Sequence, residues 1–579
     1  MPALAEPSRP ELAELERALG AEGGLPEGAV VPEGDPSTGA DQPTWRVDRG
    51  SLVEVCRALR DSPETRFDLL LDACGVDYPD RDDRFEAVYH LYSIPRGERL
   101  RLKVSLSEDD PTLPSLIPVW KAADWFEREM FDMFGFRVEG HPNLSRILCH
   151  EGFEGHALRK DYDPARRWIL TEDKFYTPKF VDLPPETDDD MFERMTVNIG
   201  PSHPAMHGTF RVMAVLDGEE IIASDVEIGY LHRCFEKMCE THTWQQVIPY
   251  TDRLNYCSSF INNVGYCRVV ERMLGIEPPP KAVWASTILS EFSRIMDHCV
   301  CNGTTLVDVG ALTNFWYLFQ IREEIYGLLE ACFGARLTVS GTRIGGLLAD
   351  LPPDFMERSR QILEMIPPLV GDVETLIDKN RIWMDRSVGI SAISGEEAVN
   401  WGWTGPCLRA SGVGYDVRRA HPHDLYDTVD FEVPVLYGGD VYDRYRIRML
   451  EIRQSVSIIR QLLDRGMPEG PWIVDDPHVA LPPKDAAYNE MEAMIYHFKL
   501  IMDGIQVPAG ERYGMVEGAN GELGYYVISD GSGKPYRIKV RPPCFPIFST
   551  FRELIRGGSI SDAVATLGGL NVIAGELER

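Results

Sequence analysis

The amino-acid sequence predicts a multi-domain α+β protein. A chain of 579 residues is longer than one hydrophobic core supports, so about two to four domains are expected. Stretches rich in aromatic and β-branched residues dominate the first part of the chain, whereas long helical apolar periodicities dominate the second. We therefore expect a small N-terminal α+β domain, followed by a large domain with an N-terminal β hairpin, a helical bundle core and a C-terminal α/β part.

The predicted domain boundaries follow changes in composition. Residues 1–45 contain a Gly/Pro-rich run, which predicts a flexible N-terminal arm. Residues 46–165 form the first domain. Residues 166–195 form a linker, marked by the paired prolines and three successive aspartates of PPETDDD. Residues 196–579 form the second domain.

The first domain combines helical and strand patterns. A helix is predicted at 51–59, and FDLLLDACGVDYP, RFEAVYHLYSI and ERLRLKVSLS predict three strands separated by turn residues. A second helix is predicted at 115–134, with charged residues on one of its turns. These residues are Glu127, Arg128, Glu129 and Asp132. Such a turn is typical of a solvated face with local ion pairs.

An irregular tail follows this second helix and contains GHPNLSRIL and GHALRKDYD. It is poor in regular structure and rich in His, Asn, Arg and Lys. The tail is either a strap that docks a partner or an ordinary surface loop. We favour docking, because so long an irregular segment in a compact domain usually has a purpose.

The second domain begins with a hairpin and continues as helices. Asp217 and Gly218, between TFRVMAVL and EEIIASDVE, form a strong hairpin signal. Apolar periodicity then predicts a series of helices. They run through Leu231 and His242, through Ile288 and Cys299, from Phe315 to a stop at Gly334, and at 355–369, 441–465 and 488–502. LGYYVISDGSGKPYRIKV predicts a final hairpin, so the domain ends as mixed α/β.

Composition excludes several classes of protein. A net charge of −32 argues against a nucleic-acid partner, because phosphate binding relies on clustered Lys and Arg. The most apolar stretch, 305–319, contains Asp308 and Asn314 and predicts no membrane span. The N-terminus lacks a secretory signal, so the chain is expected to stay on the cytoplasmic side. The twelve cysteines never form C-x-x-C, so no metal or cluster is expected on this chain.

The motif GPSHPAMHG, residues 200–208, places two histidines in a segment too rich in Gly and Pro for a helix. His207 is interpreted as a proton donor to a bound small molecule. The spacing of His203 and His207 also matches a metal-binding pair, but Pro204 argues against the helix that such a pair needs. Two histidines satisfied within a loop remain the alternative.

These motifs resemble a known family in both domains. The first domain resembles the C (30 kDa) subunit of respiratory complex I, through EREMFDMFG, GHPNLSRIL and RKDY. The second resembles the D (49 kDa) subunit, through NIGPSHPAMHGTFR, IGYLHRCFEK, IPYTDRLNY, DVGAL, RIGG, ASGVGYDVR, GDVYDRY and GELGYYVISDG in that order. The resemblance covers residues 50–165 and 195–579 and implies a fused C/D subunit.

The D-like part in turn resembles the large subunit of nickel-iron hydrogenases, which hold their metal with two C-x-x-C pairs. Here the corresponding segments offer only Cys234, Cys239 and Cys544. Thiolates are the soft ligands that such a centre needs. The resemblance therefore implies a hydrogenase-like scaffold without its metal, in which the cavity is turned over to quinone.

The resemblance implies a quinone-reduction site. His207 and Tyr256 correspond to the two donors at the quinone head group, with His203 also lining the site, and Asp308 corresponds to the partner of His207. Arg233 corresponds to an arginine beside the terminal iron–sulfur cluster of the B subunit. Each has an alternative interpretation from its residue type alone. Asp308 could cap a helix, Tyr256 could be a core tyrosine, and Arg233 could pair with Glu236.

The resemblance also implies a place in a larger enzyme. The chain would act only in the assembled, proton-translocating NADH:quinone oxidoreductase, beside B, I, A and H type subunits, with NADH and FMN bound elsewhere. It would lie peripherally on the cytoplasmic side of the bacterial inner membrane and meet the membrane only through partners. The alternative is a non-catalytic scaffold protein of a related hydrogenase-like or other-donor membrane oxidoreductase.

Four positions depart from the family pattern. Thr338 stands where a histidine credited with proton-coupled cluster redox is expected. Asn255 and Asn520 replace an aspartate and an arginine, and Glu578 replaces an aspartate. These departures indicate a divergent branch and put proton linkage at the cluster, and NADH as the electron donor, in question.

Overall fold

The structure, a computed structural model, describes residues 30–34, 41–166, 180, 183 and 194–579. The chain divides into two compact units. The first comprises residues 1–185, 225–232 and 396–403, and the second comprises residues 186–224, 233–395 and 404–579. Both contain sheet and helix, which confirms the multi-domain, mixed α/β architecture.

The first unit is built on a five-stranded sheet in the order β1-β2-β5-β4-β3. Its strands are β1 Val30–Gly34, β2 Thr44–Val47, β3 Leu69–Asp77, β4 Phe85–Ser93 and β5 Glu98–Leu106. Neighbouring strands are antiparallel except β2 and β5, which are parallel. A second, parallel pair joins β6 Thr112–Pro114 and β7 Arg137–Glu139. The helices are α1 Leu52–Asp61 and α2 Ala123–Phe134. The three predicted strands and the first helix are confirmed.

The predicted arm and the start of the second predicted helix differ from the structure, and the predicted linker is not tested by it. Strand β1 lies inside the run that the sequence predicts to be a flexible arm, and the rest of that run up to residue 40 lies outside the described residues. The predicted linker, 166–195, also lies almost wholly outside them. Helix α2 begins at Ala123 instead of residue 115.

The charged turn of α2 is buried, so the predicted solvated face is wrong. Asp132 accepts hydrogen bonds from the backbone N–H groups of Ile147, Leu148 and Cys149, and it pairs with Arg146 at 2.6 Å. These partners come from the irregular tail, about 15 residues downstream, which helical spacing alone does not reveal. The tail is therefore held by its own helix. Whether it also docks a partner stays a prediction.

In its described residues, the second unit contains three small sheets. One has the order β10-β9-β8, another the order β13-β14-β15, and the third pairs β11 with β12. Their strands are β8 Met195–Ile199, β9 Arg211–Asp217, β10 Glu220–Glu227, β11 Thr342–Arg343, β12 Gly346–Leu347, β13 Gly510–Glu517, β14 Glu522–Ser529 and β15 Arg537–Arg541. Both predicted hairpins are confirmed, and β8 and β13 each add a strand that sequence reasoning missed.

Helices form most of the second unit; α10 is given with them in chain order, although its residues from Glu396 on belong to the first unit. They are α3 Phe235–Thr241, α4 Trp244–Thr251, α5 Ser259–Leu274, α6 Pro280–Asp308, α7 Leu312–Phe333, α8 Phe355–Ile377, α9 Arg381–Asp385, α10 Gly395–Asn400, α11 Gly405–Ala410, α12 Val417–Ala420, α13 Val441–Arg465, α14 Lys484–Asn489, α15 Met491–Met502, α16 Cys544–Ser549, α17 Phe551–Ile555, α18 Ile560–Leu570 and α19 Ala574–Glu578. The four long helices α6, α7, α8 and α13 share one apolar core. In the described part of the chain, no helix is long and apolar enough to span a membrane.

The predicted helix bounds are partly right. Helix α13 has the predicted bounds, and Gly334 ends α7 in the left-handed conformation, as predicted. The helix predicted through Leu231 begins only at Phe235. Helix α8 continues past its paired prolines to Ile377. The segment predicted as one helix at 488–502 is divided between α14 and α15.

Candidate functional site

The two histidines of GPSHPAMHG lie in the connection between β8 and β9, at either end of a short 3₁₀ turn, Pro204–Met206. His203 precedes the turn, and its ring nitrogen Nδ1 accepts a hydrogen bond from the backbone N–H of Ala205 at 3.3 Å. His207 ends the turn with a φ of 55°. A non-glycine residue in this left-handed region is uncommon and marks a constrained position. The two histidines therefore differ: the His203 side chain bonds the loop backbone, whereas His207 occupies a constrained backbone conformation.

His207 meets Asp308, which comes from the end of helix α6. Nε2 of His207 lies 2.6 Å from Oδ2 of Asp308, and the two side chains are 20% and 15% exposed. No hydrogen bond of regular geometry reaches this oxygen from the described residues. Asp308 is the last residue of its helix, which makes the helix-capping alternative wrong. A carboxylate is unfavourable at a helix C-terminus, and His207 would offset that cost when it is protonated.

Tyr256 begins a second 3₁₀ turn, Tyr256–Ser258, which Asn255 caps by accepting a hydrogen bond from Cys257 N–H at 3.1 Å. The tyrosine is only partly buried, so it is not a core residue. Within the described chain, no group hydrogen-bonds its hydroxyl. Burial raises the pKa of Tyr256 to about 12; Asp297 contributes, and Arg233 opposes the shift. The phenol therefore stays protonated at neutral pH and can donate to a ligand.

Arg233 lies just before helix α3 and is exposed. Its Nη2 donates to the backbone carbonyl of Arg253 at 2.8 Å. Burial of part of the side chain and the positive charge of Arg253 lower its pKa, while Glu578 and Tyr256 oppose this.

The pairing of Arg233 with Glu236 is wrong, because Glu236 has other partners. It pairs with Arg537 at 2.8 Å, with Arg579 at 3.2 Å and with Lys539 at 3.7 Å. Arg233 is therefore not paired with Glu236, and its Nη2 is bonded to the carbonyl of Arg253.

The C-terminal helix α19 approaches both halves of the site. A Cβ atom on Gly208, next to His207, would lie 3.2 Å from the Cβ of Ala574. A Cβ atom on Gly575 would lie 2.8 Å from the carbonyl oxygen of Leu254 and 3.4 Å from Nη2 of Arg233. A side chain at Gly575 would collide with backbone, so glycine permits the close approach. The structure thus pairs His207 with Asp308, and groups Tyr256 with Arg233, with α19 adjoining both.

A buried polar cluster lies next to Tyr256, and sequence reasoning missed it as a unit. Nδ2 of Asn571 donates to Asp297 at 2.7 Å and to Asn520 at 2.6 Å. Nδ2 of Asn520 lies 3.4 Å from a carboxylate oxygen of Glu576 and 3.3 Å from the sulfur of Cys544. The only signal was that polar residues such as Asp297 interrupt apolar stretches. That pattern does not reveal partners more than 200 residues away.

The pKa of Glu576 is raised within this cluster. Burial raises its pKa to about 7, Asp297 adds to this, and hydrogen bonds from Cys544 and Asn520 oppose it. Around it, Cys544 lies on α16, Asn520 on the loop before β14 and Asp297 on α6. A raised carboxyl pKa means that the folded chain binds the proton more tightly than the unfolded chain. Stability from this group is therefore present at acidic pH and is lost as the pH rises toward 7.

Glu576→Gln is expected to weaken the pH dependence of stability. Between pH 5 and pH 8 the wild-type chain should lose about 3 kcal/mol that the variant keeps, because glutamine cannot ionise. Thermal unfolding of the full-length chain at both pH values, followed by circular dichroism, measures the difference. Glu492→Gln, at an exposed position on α15, serves as the matched control. An equal fall in melting temperature for Glu576→Gln and wild type would contradict this assignment.

Cys234, Cys239 and Cys544, the three cysteines considered in the sequence as possible metal ligands, differ in their surroundings. Cys234 is exposed, whereas Cys239 and Cys544 are buried. Burial raises the pKa of both buried thiols well above the usual range, which disfavours the thiolate form that binds metal. In the described part of the chain, no three His, Cys, Asp or Glu residues are grouped to hold a metal ion.

The four departures from the family pattern occupy different surroundings. Asn255 caps the Tyr256 turn, and Asn520 belongs to the buried cluster. Glu578 is buried and its charge acts on Arg233. Thr338 is partly buried in the segment between α7 and β11. Three of the four therefore adjoin the candidate site.

Comparison with known proteins identifies two family matches. The model of the respiratory-chain NADH dehydrogenase 30 kDa subunit matches residues 45–167. The model of the 49 kDa subunit of the same enzyme matches residues 308–579. Both matches lie in the order that the motifs suggest.

Curated relatives match nearly the whole chain. The C/D subunit of the NADH-quinone oxidoreductase of Bdellovibrio bacteriovorus is 48% identical over 523 residues, which cover 90% of this chain and 92% of the relative. The C/D subunit of the same enzyme from Acidiphilium cryptum is 38% identical over 556 residues, 93% of each chain. The D 1 subunit of the NADH-quinone oxidoreductase of Sorangium cellulosum is 51% identical over 387 residues, 67% of this chain and 96% of the relative.

Proposed function

This chain belongs to the family of fused NADH-quinone oxidoreductase C/D subunits, and we propose that its D-like part forms the quinone-reduction site of the assembled enzyme. The observation that carries the proposal is the pair of donors around α19. His207 is held against a carboxylate at 2.6 Å, and Tyr256 presents a protonated hydroxyl that the described residues leave unbonded.

Quinone reduction adds two electrons and two protons to a ring with two carbonyl oxygens. Two donors are therefore needed, and His207 and Tyr256 would each serve one oxygen. A hydrogen bond to neutral quinone contributes only about 0.5 to 1.5 kcal/mol. Proton transfer is the stronger effect, because the oxygens become strong bases as electrons arrive. His203 lines the same loop and orders its backbone.

The ion pair of His207 and Asp308 would link this chemistry to protein charge. While His207 is protonated, the two charges attract. When His207 gives its proton to quinone, Asp308 at the end of α6 loses its counter-charge. Loss of this attraction would change the forces on the loop that contains His207 and on the end of α6. In this way the site would couple quinone reduction to proton translocation by the whole enzyme.

The electrons would come from a terminal iron–sulfur cluster held by the adjacent B subunit. Arg233 suits a place beside such a cluster, since it is exposed, positively charged and near Tyr256. A fixed positive charge favours the reduced form of a neighbouring cluster. The chain itself would carry no cluster, and NADH and FMN would be bound elsewhere in the enzyme.

The larger context of the chain is part of the same proposal. Its second unit would share the scaffold of the nickel-iron hydrogenase large subunit, with the metal cavity given over to quinone. Neighbouring subunits would be of the B, I, A and H types. The chain would lie on the cytoplasmic side of the bacterial inner membrane and reach the lipid through partners.

Photoaffinity labelling of the assembled enzyme tests the site. A quinone with an azido group on its head should label peptides that contain His207 or Tyr256, and excess unmodified quinone should protect them. Peptide mass spectrometry locates the label. Protectable label confined to other subunits would overturn the proposal and favour the scaffold alternative.

A further inference from the structure

Helix α15 exposes an unusual number of large apolar side chains. They recur at spacings of three and four residues and so lie on one side of the helix, here called the α15 face. Its members are Met491 (76% exposed), Met494 (63%), Ile495 (45%), Phe498 (62%) and Ile501 (52%). An apolar surface of this kind usually marks an interaction site.

The rest of the helix is also incompletely packed. None of its residues is buried. On the side opposite the α15 face, Tyr496 and Leu500 line a cavity of about 820 Å³, together with Leu274, Val479 and Ile505. Most of the stability of a protein helix comes from packing of its apolar face. Within the described chain, α15 obtains little of this packing.

We propose that the α15 face docks into an apolar groove, rimmed by lysine and arginine, on another subunit of the oxidoreductase. Apolar anchors at positions i, i+3, i+4 and i+7 are the pattern by which a helix lies in a groove. The inference rests on this chain being one subunit of a multisubunit enzyme, as its family shows.

Charge decides which occupant fits. The ends of α14 and α15 carry Asp485, Glu490, Glu492 and Asp503, against two lysines, Lys484 and Lys499. A helix that lies on an anionic lipid surface needs a basic polar face instead. A second copy of this chain would bring the same acidic groups and a net charge of −32 against them. A groove with a basic rim on another protein complements these acidic groups, whereas an anionic lipid surface and a second copy do not.

Site-specific crosslinking in the assembled enzyme identifies the occupant. Phe498 is replaced with p-benzoylphenylalanine, which keeps an aromatic side chain, and the enzyme is irradiated and digested. The expected product joins position 498 to an apolar peptide of another subunit that is flanked by lysine or arginine. A product with lipid, with a second copy or with this chain itself would overturn the proposal.

A double substitution tests whether docking holds the assembly together. Met494→Asp with Phe498→Asp is expected to reduce co-purification of the chain with its partner subunits at least tenfold, whereas Phe498→Leu should retain it. Both positions are exposed, so the melting temperature of the isolated full-length chain should not change. Normal assembly of the double variant would overturn the proposal.

Comparing the α15 double variant with a quinone-site variant separates this inference from the proposed function. A chain with Tyr256→Phe should assemble normally even though quinone reduction is lost. The double variant on α15 should fail to assemble. Unchanged quinone reduction in Tyr256→Phe would contradict the proposed function without affecting the docking proposal. Normal assembly of the double variant would contradict docking without affecting the proposed function.

Discussion

Replacing Tyr256 with phenylalanine is expected to lower quinone reduction by the assembled enzyme about a hundredfold or more. The substitution keeps the ring and removes only the hydroxyl, which no described residue hydrogen-bonds. Folding should therefore be unaffected. The loss follows because a positioned proton donor contributes about 10² to 10⁴ to a rate. His207→Ala should have a comparable effect, since it removes the other donor and leaves Asp308 without its 2.6 Å partner.

The measurement compares two acceptors in the purified enzyme. NADH oxidation with a short-chain quinone reports the whole path, while NADH oxidation with ferricyanide reports the steps before the quinone site. Only the first rate should fall. Tyr437→Phe is a matched control, because Tyr437 is 84% exposed and lies outside the site. Unchanged quinone turnover in both Tyr256→Phe and His207→Ala would remove the assignment of these donors.

Arg418→Met is expected to destabilise the chain by about 3 to 5 kcal/mol. Arg418 is buried on α12 and pairs with Asp416 at 2.8 Å and with Glu291 at 3.2 Å. Both carboxylates are buried as well. Removing the arginine leaves their charges partly uncompensated where water cannot reach them.

The neighbouring residue supplies the control for this stability prediction. Arg419 is 41% exposed and pairs with a fully exposed Asp430 at 3.8 Å. Exposed ion pairs contribute little, so Arg419→Met should cost about 1 kcal/mol or less. Urea unfolding of the full-length chain, followed by circular dichroism, measures both. Equal unfolding midpoints for the two variants would show that burial of the network does not govern its contribution.

Local sequence signals predicted the regular elements well. Helix α13 has the predicted bounds because its apolar residues recur with helical spacing and Gly466 follows them. The structure adds the reason for its start, since Asp440 caps the helix by accepting a hydrogen bond from the N–H of Asp443. The hairpin at Gly218 was predicted because Asp-Gly turns bring strands together. These features act within a few residues of each other. Helix α2 shows where local signals fail. Helical spacing predicted that its charged turn is solvated, but the downstream tail covers this turn.

For the site, the residues of GPSHPAMHG predicted His207 as a proton donor, whereas Tyr256, Asp308 and Arg233 were predicted through family resemblance alone. From residue type alone, a core tyrosine was the preferred interpretation of Tyr256, while a helix cap and a local ion pair were the alternatives for Asp308 and Arg233. The structure rejected these three alternatives through long-range geometry. Asp308 is the last residue of its helix, and Tyr256 is only partly buried. Glu236 forms its ion pair with Arg537, close to the C-terminus, instead of with Arg233.

By itself, the sequence determined the α+β class, the order of most elements and the candidate residues, because these depend on local periodicity, turn chemistry and recognisable motifs. Only the tertiary structure decided which charges are buried and what they meet. It brought His207 to Asp308, gathered Asp297, Asn520, Asn571 and Glu576 into one cluster, and left the α15 face exposed. Such contacts join residues as far apart as Asp297 and Asn571, which are separated by 274 positions. Burial within this cluster also raises the pKa of Glu576, an effect that no local pattern reveals.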